Sequence, residues 1–409
     1  MIENKGSIMF KKFILKNYRT HLDTTLELKG VTLLIGGNNS GKTNLLDGIQ
    51  HFAQLINRTG PQSDMQFVAN ADYFPHKHSL DTTNRPMVFA CEWENATGKV
   101  NYQIALYALD FDAVGCQEKI DISLNDESFT LEQGYTKASQ EVLLWTKLEN
   151  ANLDSFAKQL GEDFFQSLTQ VYSYNLHPNF LKGLLKPLNE KEIDYANVNM
   201  ARDLGQEGAN FQALLKYVVE HDKETYERLL EFLNLVVPAF QGLVIKDEQV
   251  FWQLEITKNT KNFQYLPPAV ISDGFTKGCA LVLLCASKNP PALIMIDEVE
   301  NSISLENVRE LLSWLHHASG KGQIMQFILT THSLNFLRRF SDDLDAVHNV
   351  DFLNRHYKSS VSNLSDALYE SVKRENISGE IIAQDGKTLV RVPPYELTNL
   401  FYSGILLNL

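Results

Sequence analysis

Residues 36–43 read Gly-Gly-Asn-Asn-Ser-Gly-Lys-Thr, which fits the phosphate-binding pattern of a glycine, four residues and then Gly-Lys-Thr. The apolar run Val31 to Ile35 leads into this segment, and a helical pattern leads out of it from Asn44. Glycines let the backbone curl so that successive N–H groups point at one anion, and the start of a helix adds its own unpaired N–H groups. The segment therefore predicts a strand, a phosphate-binding loop and a helix.

The side chains at the end of this loop have separate chemical roles. Lys42 can reach the β- and γ-phosphates of a nucleotide as a point charge, which gives it a catalytic as well as a binding role. The hydroxyl group of Thr43 can ligate Mg²⁺. The predicted nucleotide-binding residues of the segment are Gly36, Gly37, Asn38, Asn39, Ser40, Gly41, Lys42, Thr43 and Asn44.

A second apolar run, Ala292 to Ile296, ends in Asp297 and Glu298. A run this apolar suits a parallel strand that is buried on both faces. Asp297 at its tip would hold Mg²⁺ directly or through water, and Glu298 is placed to orient or deprotonate an attacking water molecule. Together with the phosphate-binding loop, this pair predicts nucleotide hydrolysis.

A third apolar run, Gln323 to Leu329, is followed by Thr330-Thr331-His332-Ser333. A histidine at the C-terminal end of a strand beside a γ-phosphate can donate a hydrogen bond to that phosphate or to the attacking water. The alternative is that His332 only caps a loop. Its place after the strand that ends in Asp297 favours the catalytic role.

Ser272 and Gly274 precede an apolar helical run, Cys279 to Ala286. They stand where the N-terminus of a helix would meet an anion. Ser272 or Asp273 would equally serve as a cap that bonds the free N–H groups of the helix. The sequence alone leaves both interpretations open.

The composition is that of an ordinary globular protein with an acidic surplus: 44% of the 409 residues are hydrophobic, and the net charge is −13. This charge argues against a surface that wraps nucleic acid everywhere, because phosphate contacts need many Lys and Arg residues. The four cysteines lack paired zinc-ligand spacing and are expected to be buried thiols in a reducing compartment. Without a signal-peptide pattern or an apolar run of about 18 residues, we expect a cytoplasmic protein that makes no membrane contact.

These parts, in this order, resemble the ABC-type ATPase heads of the RecF, SMC and OLD group. The resemblance covers most of the chain and is greatest to the bacterial ATP-binding proteins labelled AAA-type, which lack long coiled coils. Its motifs are the opening Phe13 to Arg19, the segment Leu204 to Asn210, the signature-like Ile271 to Gly274, the Walker B and D-loop region Asp297 to Asn301, and the switch-histidine segment Thr330 to Ser333.

The resemblance implies an α/β P-loop NTPase fold with a mixed sheet, an antiparallel β-subdomain and a helical insert. The β-subdomain agrees with a hairpin pattern at Met87 to Trp93 and Val100 to Leu109, and the insert with apolar stripes at helical spacing between Leu153 and Leu233. The expected parts are the N-terminal head with the phosphate-binding loop at 1–145, the helical insert at 146–238, the C-terminal head with signature, Walker B and switch histidine at 239–350, and a C-terminal extension at 351–409.

In heads of this kind two protomers sandwich two ATP molecules. The resemblance therefore implies ATP and Mg²⁺ as cofactors and a homodimer or higher homo-oligomer. Ser272 and Gly274 would contact the γ-phosphate of the ATP that is bound to the partner. Arg19 would approach the nucleotide from the N-terminal sheet.

The chain departs from the family pattern at two places that bear on turnover and on communication between the two sites. Ser302 to Leu305 stand where the family usually has Gly-Leu-His-Pro, and Phe275 stands where many heads carry a polar residue. The glutamine of the family's Q-loop stays open among Gln50, Gln54 and Gln66, with a slight preference for the last.

The favoured function is an ATPase that acts as a switch or motor and controls a separate effector protein, such as a nuclease, in phage defence or DNA repair. ATPase subunits of two-gene defence systems such as PARIS, which pairs one with a Toprim effector, are similar in size and layout. One alternative is an ATP-binding scaffold or sensor with little turnover, which the run Ser302 to Leu305 motivates. Another is direct DNA binding as in RecF, with Lys182 to Lys186 and Arg338-Arg339 as local basic surface.

A nuclease activity within the chain itself is not expected. OLD-type proteins carry a second catalytic domain after the head, whereas 77 residues follow His332 here without a convincing cluster of metal-binding acids. Asp342, Asp343 and Asp345 fit a solvated acidic turn better than a nuclease site. Any cleavage of nucleic acid is therefore assigned to a partner.

Overall fold

A computed structural model describes residues 9–56, 85–109, 113–124, 127–136, 148, 153–186, 193–236, 239–247, 249–257, 262–300, 312–313, 315–316, 325–353, 355–384 and 387–403. The strands are β1 (Met9–Tyr18), β2 (His21–Glu27), β3 (Val31–Ile35), β4 (Met87–Glu94), β5 (Lys99–Leu109), β6 (Ala113–Leu124), β7 (Glu127–Thr136), β8 (Val171–Tyr174), β9 (Phe240–Lys246), β10 (Gln249–Thr257), β11 (Asn262–Leu266), β12 (Leu293–Ile296), β13 (Gln326–Thr330), β14 (Val347–Leu353), β15 (Lys358–Asn363), β16 (Glu380–Gln384) and β17 (Lys387–Arg391). The helices are α1 (Lys42–Ile56), α2 (Ser155–Thr169), α3 (Pro178–Leu181), α4 (Met200–Leu204), α5 (Phe211–His221), α6 (Lys223–Val236), α7 (Asp273–Ala286), α8 (Leu334–Leu337), α9 (Leu364–Lys373) and α10 (Pro394–Tyr402).

The central sheet has the order β15-β14-β3-β13-β12-β8, in which the neighbours from β14 to β8 are parallel and β15 is antiparallel. Strands β3, β12 and β13 are buried along their whole length, as uninterrupted apolar runs predict for parallel strands. The strand predicted at Val31 to Ile35 is confirmed. The run predicted from Gln323 to Leu329 is described as a strand from Gln326 to Thr330.

A second six-stranded sheet, β2-β1-β4-β5-β6-β7, is antiparallel throughout and contains the predicted β4–β5 hairpin. Helix α1 packs between the two sheets, because its apolar stripe, which includes Leu45 and Ile49, is fully buried. Phe52 on this helix stacks on Phe89 and Tyr102, with ring centroids 5.8 and 5.7 Å apart. This packing fixes the direction in which α1 presents its N-terminus.

The other face of the central sheet is covered by α4 to α7, whose apolar residues share one core with β3, β12 and β13. Helix α7 is apolar nearly all round and buried, which suits its central position in this layer. The predicted helical stripes of the middle region are confirmed as α2, α5 and α6. The result is a layered α/β protein with a mixed sheet and an antiparallel sheet, as predicted.

Two parts of the expected organisation are placed differently. Strand β8 lies within the expected helical insert but belongs to the central sheet, and with four residues it is too short to stand out in the sequence. The expected end of the head at residue 350 falls inside β14, and β15 after it is part of the same sheet. Gln66, Asn301 and Ser302 to Leu305 lie outside the described residues.

The four cysteines are buried and unpaired, as predicted, and burial raises the pKa of Cys91, Cys279 and Cys285 well above that of a free thiol. Of the helices in the described ranges, none combines the length and the apolar character that crossing a membrane requires.

His348 on β14 makes the stability of the fold depend on pH. Burial lowers the pKa of this side chain from 6.5 to about 4, although the carboxylates of Glu27 and Asp345 act to raise it. The unfolded chain therefore binds a proton more readily than the folded chain, so stability is complete above about pH 6.5 and falls as the pH drops toward 4. From this group we expect a loss of about 2 kcal/mol between pH 7.5 and pH 5.

Urea unfolding at the two pH values measures this loss. His348→Gln is expected to reduce the difference between the two free energies of unfolding by that amount. His356→Gln replaces an exposed histidine and should keep the full wild-type difference. An undiminished difference in His348→Gln would contradict the assignment.

Candidate nucleotide-binding site

The loop between β3 and α1 lies at the carboxyl edge of the central sheet, the edge where open α/β sheets bind their ligands. Gly36, Asn39 and Gly41 have φ values of 149°, 63° and 107°, which curl the backbone tightly. The ammonium group of Lys42 donates to the carbonyl oxygens of Gly36 at 3.0 Å and Gly37 at 2.9 Å. The lysine is therefore held by the loop that it closes.

The outer face of this loop is braced by two residues that the sequence analysis missed. Nε2 of His21 lies 3.0 Å from the carbonyl oxygen of Gly41 and must be the donor there, while Nδ1 accepts from Thr24 at 3.0 Å. Burial lowers the pKa of His21, which favours this neutral tautomer. Oγ of Ser359 donates to the carbonyl oxygen of Ser40 at 2.7 Å. No local pattern announces this contact, because 319 residues separate its partners.

Asp297, which follows β12, contacts the start of α1, although β13 lies between β12 and β3 in the sheet. Oγ1 of Thr43 donates to Oδ2 of Asp297 at 2.8 Å. Oδ1 of Asp297 accepts a hydrogen bond from the hydroxyl group of Thr330 on the adjacent strand β13. Both oxygens of this carboxylate are thus oriented before any ligand arrives.

Thr330 also sets the position of Glu298, a role that the sequence analysis did not assign to it. Its hydroxyl oxygen accepts the backbone N–H of Glu298 at 2.8 Å, and its carbonyl oxygen accepts that of Val299 at 3.0 Å. Glu298 has a φ of 48°, a left-handed conformation that is uncommon outside glycine. Held this way, the exposed Glu298 side chain lies at the tip of β12 beside Asp297.

An open cavity of about 520 Å³ joins these groups. Its lining combines the loop that follows β3 and the start of α1 with side chains that follow β12 and β13, and these residues are Asn38, Asn39, Ser40, Gly41, Lys42, Thr43, Asn44, Asp297, Glu298 and His332. The backbone N–H of His332 is fixed by Oε1 of Glu300 at 2.5 Å. The structure therefore brings the three predicted catalytic residues to one cavity.

The charges of this cavity decide what it can bind. Burial lowers the pKa of Lys42, and the carboxylates of Asp297, Glu300 and Glu298 oppose that shift. The ammonium groups of Lys42 and Lys277 thus interact with the carboxylates of Glu298 and Glu300, and Lys42 also with that of Asp297. Three carboxylates still exceed two ammonium groups, so a triphosphate alone would add negative charge to a site that already carries a negative surplus. The paired oxygens of Thr43 and Asp297 are the hard ligands that Mg²⁺ prefers, and Mg²⁺ is typically held by one or two carboxylates plus phosphates. The residues present fit MgATP better than free ATP.

Arg19 lies beside this cavity on the turn between β1 and β2. Its Nη1 donates to Oδ1 of Asn44 at 3.0 Å and to Oδ2 of Asp47 at 2.5 Å. With a φ of 47°, Arg19 has an unusual backbone conformation that aims it at α1. Arg19, which was predicted to approach the nucleotide from the N-terminal sheet, thus contacts the first turns of α1 and does not itself line the cavity.

Ser272 and Gly274 do not line this cavity. Ser272 is exposed and caps α7, because its hydroxyl oxygen accepts the backbone N–H of Phe275 at 3.3 Å. Asp273 beside it forms an ion pair with Lys182, whose side chain is 11% exposed. Within one chain Ser272 therefore acts as the cap of α7. Lys182, the first residue of the predicted basic stretch, is engaged in the ion pair with Asp273.

The sequence also matches the model of a known protein family. The model of the AAA ATPase domain matches residues 9–265, more than half of the chain. No curated protein matches the sequence significantly. Among solved structures, the head domain of Smc from Pyrococcus furiosus, with an extended coiled coil and bound to the C-terminal domain of ScpA, is similar. It is 13% identical, with 90% of this chain and 99% of that one covered and a TM-score of 0.44.

Proposed function

The chain belongs to the AAA ATPase domain family, and from that premise we propose that it is a switch ATPase that dimerises around MgATP and controls a separate effector protein. The observation that carries the proposal is the contact of 2.8 Å between Thr43 and Asp297, with Glu298 and His332 on the same cavity. These are the groups that ATP hydrolysis needs, and they come from three separate segments of the chain.

The residues divide the work of hydrolysis among them. Lys42 and the N–H groups of the loop hold the β- and γ-phosphates, and Thr43 with Asp297 holds the metal. Mg²⁺ held by Thr43 and Asp297 would supply positive charge that offsets the charge of the phosphates. Glu298 accepts a proton from the attacking water or orients it, and the ring of His332 donates a hydrogen bond to the γ-phosphate.

The proposed dimer gives a role to Ser272 and Gly274, which do not line the cavity of their own chain. Ser272 is exposed at the start of α7, and Val270, two residues before it, is 61% exposed. In the proposed dimer this helix start contacts the γ-phosphate of the ATP that is bound to the partner. Lys182 partly neutralises Asp273 there, which lowers the repulsion between that carboxylate and phosphate.

Glu298→Gln tests the proposal, because the amide keeps the size of the side chain but cannot accept a proton. With ATP and Mg²⁺ the variant should form a stable dimer of about twice the 46.5 kDa chain mass, measured by light scattering after gel filtration. Ser272→Arg in the same background should bind ATP and stay monomeric. A Glu298→Gln chain that binds ATP fully yet stays monomeric would contradict the dimer.

The effector is proposed by analogy with two-gene defence systems of the PARIS kind and with repair ATPases. The product of the neighbouring gene should copurify with Glu298→Gln in ATP more strongly than with the nucleotide-free chain. A nuclease there would favour phage defence, and a replication protein would favour repair. ATP-independent copurification would remove the switch from the proposal.

A further inference from the structure

The hairpin of β14 and β15 extends past the edge of the central sheet on the side of the phosphate-binding loop. Strand β14 runs parallel to β3, and their last registered pair is Asn349 with Ile35. Strand β14 then continues to Leu353, four residues and therefore about 13 Å beyond the point where β3 becomes the loop. The turn of the hairpin consequently overhangs the nucleotide edge of the sheet.

The returning strand fastens this hairpin to the loop and to the β1–β2 turn. The backbone N–H of Ser359 donates to the carbonyl oxygen of Thr20 at 2.7 Å, and its hydroxyl group donates to the carbonyl oxygen of Ser40 at 2.7 Å. A Cβ atom on Gly41 would lie 2.1 Å from Oγ of Ser359, so the two strands of chain are in direct contact. The hairpin thus packs directly against the loop rather than extending away from it.

The direction of a bound nucleotide follows from the positions of the catalytic groups. The γ-phosphate end lies toward Asp297, Glu298 and His332, so the ribose and base extend the opposite way, past the start of α1. On that side Asn44 contacts both Arg19 and Thr20, at 3.0 and 3.1 Å. Thr20 is the residue to which Ser359 is bonded, so the base end of the ligand approaches the hairpin.

The turn of this hairpin carries an aromatic side chain that packing does not explain. Tyr357 is 80% exposed, and its φ of 49° is a left-handed conformation that is costly for a bulky residue. Arg355 and His356 before it are also exposed. An exposed aromatic ring two residues from the cation of Arg355, on a turn next to the predicted phosphate-binding loop, matches the chemistry of a nucleotide base and its phosphates.

We propose that Tyr357 is the stacking platform for the base of the bound ATP, and that the β14–β15 hairpin is the base-recognition element of the site. The inference rests on the proposed function, since it takes ATP as the ligand. Stacking uses the face of the ring and needs no phenolic hydroxyl group, so Tyr357→Phe should bind ATP as the wild-type chain does. Tyr357→Ala should bind ATP about tenfold more weakly.

Inorganic tripolyphosphate separates base recognition from phosphate binding, because it carries the phosphates without a base. Calorimetric titration in Mg²⁺ should show that Tyr357→Ala loses affinity for ATP but keeps wild-type affinity for tripolyphosphate. Tyr402→Ala, which removes a tyrosine of nearly equal exposure at 79%, is the matched control and should change neither affinity.

The outcomes separate this inference from the function on which it rests. Unchanged ATP affinity in Tyr357→Ala, or an equal loss for both ligands, would overturn the stacking role and leave the ATPase in place. If the wild-type chain bound neither ligand, the proposed function itself would be wrong.

Discussion

Lys42→Ala is expected to lower the affinity for MgATP by about 100-fold or more, the largest effect of any single side chain in the cavity. The ammonium group interacts with the carboxylates of Asp297, Glu298 and Glu300, and among the described residues that line the cavity Lys42 is the one lysine or arginine. Without it, the carboxylates would meet a polyanion with one positive charge fewer to offset the repulsion. Calorimetric titration of ATP in Mg²⁺ measures the loss directly.

The control for Lys42 is Lys373→Ala, which removes an exposed lysine at the end of α9 and should leave ATP affinity unchanged. The free energy of unfolding of both variants should also be measured, so that a loss of binding can be separated from a loss of folding. Binding by folded Lys42→Ala within threefold of the wild-type chain would show that the loop is not a phosphate site.

Gly36→Ala is expected to destabilise the protein by about 3 kcal/mol or more and to abolish ATP binding. A Cβ atom on Gly36 would lie 2.0 Å from the backbone carbonyl oxygen of Val350, which cannot rotate away as a side chain would. The φ of 149° is also strained for any residue other than glycine. Relief would require β14 to move away from β3, at the place where the loop begins.

Gly37→Ala is a closely matched control, since it makes the same chemical change one residue later in the loop. Among the described residues, and apart from Gly37 and its two neighbours in the chain, no atom lies within 4 Å of a Cβ placed there. The free energy of unfolding of Gly37→Ala should therefore stay within about 1 kcal/mol of the wild-type value. Urea unfolding of the two variants side by side measures the contrast. Equal stabilities would show that β14 does not lie against Gly36.

Much of the site could be predicted because its chemistry is local. A buried strand followed by a glycine-rich loop specifies where Lys42 and Thr43 stand, and a second buried strand ending in acids specifies Asp297. Parallel strands end at one edge, so the meeting of Thr43 with Asp297 follows from two apolar runs and the rule that orders them. The sequence was sufficient wherever one segment carried both the structural and the chemical signal.

The remaining parts depend on contacts that no local pattern reveals. Ser359 and His21 lie in ordinary strands, and their importance arises only when distant strands come together at the loop. Strand β8 is short and half-exposed, so its membership in the central sheet is decided by its neighbour β12. Ser272 caps its own helix, and its second proposed role needs another copy of the chain.

The hydrogen bond between Thr20 and Ser359 joins residues 339 positions apart, at the predicted phosphate-binding loop. A chain growing on the ribosome acquires Lys42, Asp297 and His332 well before it acquires the strand that closes the loop. Nucleotide capture must therefore follow the arrival of β15, because until then the carbonyl groups of Ser40 and Thr20 lack their partner. Unfinished or truncated copies would consequently be unable to bind ATP, and they would not compete with complete chains for assembly.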